Sequence, residues 1–142
     1  MKKALVAIGD FESGKKLISL ILDFFSDCVT EIHLLNVIDK ENLEHLASFR
    51  NTTVQQILEE YQVEYDNILE KLKHAFSDTH LYMTSELNHG LVAEIINETS
   101  KREQVDFIVM GTRRESYTKR LLKNYVRYVI EISEKPVILF PV

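Results

Sequence analysis

Five short apolar runs, separated by stretches with helical spacing, limit this chain to very few folds. Ala4–Ile8 (ALVAI), Ile32–Ile38 (IHLLNVI) and Phe107–Met110 (FIVM) are nearly continuous in apolar residues. Strands that read this way are covered on both faces, as in a parallel sheet. Leu81–Leu87 (LYMTSEL) alternates more strongly, and Val137–Phe140 (VILF) is bracketed by Pro136 and Pro141. Neither proline can donate a ladder hydrogen bond, which predicts that the last strand lies at a sheet edge or at a limited interface.

The intervening segments repeat at 3.6 residues. Leu17, Ile18, Ile21, Phe25 and Cys28 share one face, with Ser13 as the expected cap. The longest stripe is Val54, Ile57, Leu58, Tyr61, Tyr65, Ile68, Leu72 and Phe76, preceded by Thr52 and Thr53 as caps. Such a stripe is a core face packed on a sheet. Val92, Ile95, Ile96 and Thr99 mark a helix after Gly90, and Leu121, Leu122, Tyr125, Val126, Val129 and Ile130 mark another. Leu43, Leu46 and Phe49 add a helical turn before Thr52. Strand and helix therefore alternate to the end of the chain, the pattern of a doubly wound α/β fold with right-handed crossovers. No linker or internal repeat interrupts it, so residues 1–142 are expected to form a single domain.

In an open parallel sheet, ligands bind at the carboxyl ends of the strands, where strand order reverses. Gly9 and Gly14 follow the first strand, Gly90 the third and Gly111 the fourth, so the glycines gather at that edge. Val6–Lys16 (VAIGDFESGKK) nearly matches G-x-x-x-x-G-K-[ST], but Lys16 stands where a magnesium-binding hydroxyl is needed. Asp10 and Glu12 would also repel a polyphosphate inside such a loop. Lys15 with Asp39, the latter in the position of a Walker B carboxylate, defines a weak alternative as a phosphate-handling enzyme.

Other chemistry is sparse. His33 falls within a strand and is expected to be satisfied in or near the core, while His45, His74, His80 and His89 show no metal-ligand spacing. No nucleophile is arranged with a base and an acid, so neither an enzyme activity nor a metal is expected. The single Cys28 cannot form an internal disulfide and reads as a buried, inert thiol. A net charge of -5 argues against nucleic-acid binding. No apolar run approaches the roughly 20 residues of a membrane span, and the expected location is cytoplasmic. A basic segment, TRRESYTKRLLKNYVR, places Lys119, Lys123 and Arg127 at every fourth residue, the pattern of a solvated helix face. Arg113 and Arg114, in the loop after the fourth strand, could instead grip an anion by charge.

From VDFIVMGTRR through KPVILFPV the chain resembles the universal stress protein family, whose members show a strand ending in M-G-T, a helix and a short P-V-rich last strand. The resemblance extends to KKALVAIGD, IHLLNVID and NHGLVAEIINETSKREQVDFIVMGT. It implies a five-stranded parallel sheet of order 3-2-1-4-5 with helices on both faces. It also implies a homodimer joined through Val137, Ile138, Leu139 and Phe140, and a non-enzymatic role in the stress response. Family members that bind ATP carry G-x-x-G, nine residues, then G-[ST]. Here Gly111 matches the first glycine, but Arg114, Asn124 and Tyr125 replace the other three markers. Such members also keep an aspartate directly after the first strand, where this chain has Gly9, with Asp10 one residue late. Weak or absent ATP binding and no cofactor are the expectation. The alternative is an ATP or AMP switch using Gly9, Asp10, Val37, Gly111, Arg113 and Arg114.

Overall fold

The computed structural model describes residues 2–112 and 119–142, with the side chains of 2–112 and 125–142. The strands are β1 (Lys2–Ala7), β2 (Val29–Asp39), β3 (Tyr82–Gly90), β4 (Phe107–Thr112) and β5 (Val137–Pro141). The helices are α1 (Phe11–Phe25), α2 (Lys40–Phe49), α3 (Val54–Ala75), α4 (Val92–Arg102) and α5 (Lys119–Ile132). The sheet runs β3-β2-β1-β4-β5, and every neighbouring pair is parallel. The doubly wound five-stranded sheet of order 3-2-1-4-5 is therefore the fold of this chain.

Strand pleating divides the core in two. Ala4, Val6, Ile32, Leu34 and Val109 meet Leu17, Ile18 and Ile21 of α1 and Tyr65, Leu69 and Leu72 of α3. Leu5, Leu35, Ile108 and Met110 point the other way, onto Ala93 and Ile96 of α4 and Val126 and Val129 of α5. A third cluster, Ile38, Leu43, Ala47 and Ile57, seats α2 and the start of α3 beside the end of β2. The central strands are apolar on both sides because helices cover both sides.

Helix ends depart from the sequence reading in instructive ways. Asp10, not Ser13, caps α1: its carboxylate accepts from the Ser13 amide at 2.7 Å, and Ser13 occupies the third helical position of a capping box. Thr53 caps α3 through the Gln56 amide at 3.1 Å, as expected of the Thr52–Thr53 pair. Helix α1 stops at Phe25, so Cys28 lies in the turn before β2 and is exposed, contrary to the buried thiol expected. One extra helical turn would have been needed to carry it onto the apolar face. Phe49, at the end of α2, is 88% exposed and Ile130 of α5 is 52% exposed, so neither joins its helix's core stripe.

Two glycines also move. Gly14 lies inside α1, where a β-carbon would sit 3.1 Å from Leu72 Cδ1, so its smallness lets α1 approach α3. Gly90 ends β3 at φ 144°, a conformation that L side chains rarely adopt, and so permits the turn into α4.

Among the described residues β5 pairs with β4 alone and forms one edge of the sheet, the first of the two places the prolines allowed. Ile138 and Phe140 turn inward toward α1, with the Phe140 ring stacked on Phe24 at 5.9 Å. Leu139 faces out and is 38% exposed.

Candidate functional site

The reversal of strand order falls at β1, which lies between β2 and β4 and feeds α1 through only Ile8, Gly9 and Asp10. The Ile8 amide donates to the Leu35 carbonyl at 2.9 Å, and the chain then leaves the sheet. At Gly9 a side chain would meet nothing within 4 Å, so the backbone there faces open space. Asp10 is exposed at the same edge, with one carboxylate oxygen engaged by the α1 amide of Ser13. Three residues are too few for a phosphate-cradling loop, and the second glycine of the near-motif is buried inside α1. The G-x-x-x-x-G-K pattern at Gly9–Lys15 is thus a strand-to-helix turn followed by helix.

The other residues expected at this edge divide clearly. Gly111 sits within β4, opposite Phe140 of β5. A β-carbon there would run into Val142 Cγ2, because the Val142 amide turns back to the Phe140 carbonyl at 3.0 Å and lays its side chain over the glycine. Gly111 therefore makes room for Val142. Val37 is half-buried in β2, packed on the α4 and α5 side of the sheet. Arg113 and Arg114 lie outside the described residues, as does the side chain of Asn124. Tyr125 is half-buried against the α4–α5 cluster. Lys119 and Lys123 have no described side chains, while Arg127 is exposed as expected of a solvated face. The alternative pair is not assembled: the Lys15 ammonium lies over the Phe11 ring at 5.9 Å, Asp39 precedes α2, and no ion pair joins them. Beside the carboxyl end of β5 an open groove of about 550 Å³ is lined by Glu12, Lys15, Lys16, Ser19, Leu20 and Val142, with Pro141 at its rim.

A second polar cluster lies deeper, under α4. His33 is only 4% exposed in β2, satisfied within the structure as its strand position suggested. Its Nδ1 lies 2.7 Å from Thr84 Oγ1, and its Nε2 lies 2.8 Å from Glu86 Oε1. Glu103, at the end of α4, brings Oε1 to 3.6 Å from His33 Nδ1 and 3.2 Å from Lys3 Nζ. Arg102 reaches both carboxylates, contacting Glu86 through Nη2 and Glu103 Oε2 through Nε at 3.3 Å. Burial pushes the Glu103 carboxyl up, but the Lys3 hydrogen bond, the adjacent His33 and Arg102 together hold it below the usual range. Sequence reading missed this grouping because it depends on register. His33 pairs with Thr84 in the β2–β3 ladder, and alternation then brings Glu86 to the same face.

Residues 1–141 match the sequence model of the universal stress protein family. The chain belongs to the universal stress protein family. Solved structures agree in fold. The hypothetical protein MJ0577 superposes with a TM-score of 0.79 at 24% identity, over 99% of this chain and 96% of that one. The universal stress protein UspA of Lactobacillus plantarum gives 0.75 at 14% identity, over 98% and 97%. A universal stress protein family member of Arabidopsis thaliana, solved with AMP bound, gives 0.64 at 16% identity, over 99% and 92%. Other universal stress proteins of this fold were solved with cAMP and with dAMP. No curated protein sequence matches the chain. Among the described residues, no helix is long and apolar enough to cross a membrane.

Proposed function

We propose that this universal stress protein is a non-enzymatic, cytoplasmic stress-response regulator that acts as a homodimer and binds ATP poorly. The observation that carries the nucleotide part is the inverted pair Gly9–Asp10. The residue that leaves β1 at the open crevice has no side chain, and the carboxylate that follows is engaged in capping α1. Moving a hydrogen-bonding carboxylate by one residue changes both where it points and what it already binds, so little remains to orient a base. Two further departures act in the same direction: Gly111 is covered by Val142, and Arg114 replaces a glycine whose bare backbone would approach phosphate. Calorimetry with ATP, AMP and magnesium should give dissociation constants weaker than about 1 mM, equivalent to less than about 4 kcal/mol of binding. Binding in the low micromolar range would sink this reading.

That result would support the second reading, a nucleotide switch at Gly9, Asp10, Val37, Gly111, Arg113 and Arg114. Its support is the open space at Gly9 together with the nucleotides held by proteins of the same fold. Binding there would rest on charge from Arg113 and Arg114 instead of on glycine backbone.

The dimer is supported by the bare edge of β5. Among the described residues no strand pairs with its outer side, and Leu139 and Phe24 expose apolar surface beside it, Phe24 to 67%. An apolar edge of this kind invites strand pairing, and a two-fold partner closes it without continuing into a fibre. Sedimentation of the protein at micromolar concentration should show a dimer, and Leu139→Glu should shift it toward monomer. A wild-type monomer under those conditions contradicts the proposal.

A further inference from the structure

The geometry points to a divalent transition-metal site at His33, Glu86 and Glu103, on the α4 side of the sheet and away from the strand ends. The three side chains come from β2, β3 and the residue after α4, and their ligand atoms all lie within 4.8 Å of one another. Zinc bound by nitrogen and carboxylate at about 2.0–2.2 Å places neighbouring ligands about 3.3 Å apart, so side-chain movements of about 1 Å close the set. The histidine is already placed for this. In the ion-free chain Nε2–H donates to Glu86 at 2.8 Å and Nδ1 accepts from the Thr84 hydroxyl at 2.7 Å; on metal binding the ring proton moves to Nδ1, which then donates to the same hydroxyl and frees the Nε2 lone pair. A second hydrogen bond that fixes the ring in this way accompanies nearly every metal-ligating histidine.

Charge favours the exchange. Glu31, Glu86 and Glu103 face Lys3 and Arg102, so the cluster carries three carboxylates against two fixed cations. Arg102 bridges Glu86 and Glu103, the place a metal would take, and its side chain is 53% exposed. It can swing into water, but doing so gives up its contacts with both carboxylates. A divalent ion in its stead balances the three carboxylates together with Lys3, whose ammonium remains on Glu103 and Glu31. Imidazole with two carboxylates and an open position for water suits zinc or cobalt better than calcium or magnesium, which take oxygen alone. The site ties β2 and β3 to the end of α4, so the ion would fasten that helix to the sheet.

The test uses the full chain in a Cys28→Ser background, since the exposed thiol would itself attract metal. Co2+ absorption and Zn2+ calorimetry are read on this protein and on its Arg102→Ala variant. Removing the competing guanidinium should tighten binding by at least about tenfold, and Thr84→Val should weaken it by about 10–100-fold. In the Arg102→Ala background, Glu103→Gln and His33→Gln should abolish the Co2+ band, with circular dichroism confirming the fold. If His33→Gln fails to fold, Thr84→Val and Glu103→Gln decide the matter. Absence of binding to Arg102→Ala at about 1 mM Zn2+ or Co2+ overturns the site, as does binding that survives the Glu103 and Thr84 changes.

Discussion

Replacing Leu72 by alanine should lower the unfolding free energy by about 2–5 kcal/mol, seen as a shift of the urea midpoint without a change in slope. Leu72 is fully buried on α3, within the cluster that joins α3 to α1 and the sheet. Its loss removes apolar burial and leaves a cavity that two helices and a sheet cannot easily collapse to fill. The same side chain explains Gly14. A β-carbon there would sit 3.1 and 3.6 Å from the two Leu72 methyls and 3.5 Å from Ile8 Cγ2. In the wild-type background, Gly14→Ala therefore sets a gain in helix propensity of up to about 1 kcal/mol against crowding. With Leu72 truncated the crowding is gone, and Gly14→Ala should become stabilising. The two positions are coupled through one contact, and a double-mutant cycle measures that coupling. An equal effect of Gly14→Ala in both backgrounds would show that the contact carries no energy.

The second large effect is alkaline. Tyr65 is 2% exposed on α3, and its hydroxyl donates to the Leu34 carbonyl at 3.2 Å. Burial, reinforced by the negative charges of Glu86 and Asp66, pushes the phenol far above its ordinary value. An ordinary tyrosine titrates near pH 10, so above about that pH the unfolded chain loses this proton while the folded chain keeps it. Unfolding then releases a proton, and stability falls as pH rises, by up to about 1.4 kcal/mol per pH unit from this group. Below about pH 10 the contribution is fully present. Tyr65→Phe loses a hydrogen bond, about 1 kcal/mol at neutral pH, but should decline less steeply between about pH 10 and 12. Denaturation midpoints of both proteins across that range provide the comparison. Parallel slopes would mean that Tyr65 ionises in the folded state as readily as in the unfolded one.

Legibility differed between the core and the site. Runs such as ALVAI and FIVM announced central strands because burial on both faces removes the need for polar alternation. The stripe from Val54 to Phe76 announced α3 for the complementary reason, that only one face is buried. Helix ends were harder to read. Ser13 and Asp10 are both good caps, and it is Asp10 whose extended backbone opens the helix, with Ser13 as its capping-box partner. Cys28 fits the α1 stripe by spacing, yet the helix ends three residues earlier to let the chain enter β2. At the candidate site, Gly9 and Gly111 both read as ligand-edge glycines, but their surroundings are opposite. Gly9 faces open space, whereas Gly111 is occupied by Val142, a contact made through a backbone turn at the chain's last residues.

The sequence by itself determined the class of fold, the alternation of strand and helix, the edge position of the proline-flanked last strand and the family membership. The first three follow from local periodicity and composition, which act over a few residues and can be read along the chain, and the family membership follows from motifs such as VDFIVMGTRR and KPVILFPV. Tertiary structure alone decided that Asp10 caps α1, that Gly14 admits Leu72, and that Gly111 is covered. It also decided that His33, Glu86 and Glu103 meet. Each of those depends on register and on the angle at which segments far apart in sequence cross, and neither quantity is encoded in the spacing of residues within one segment.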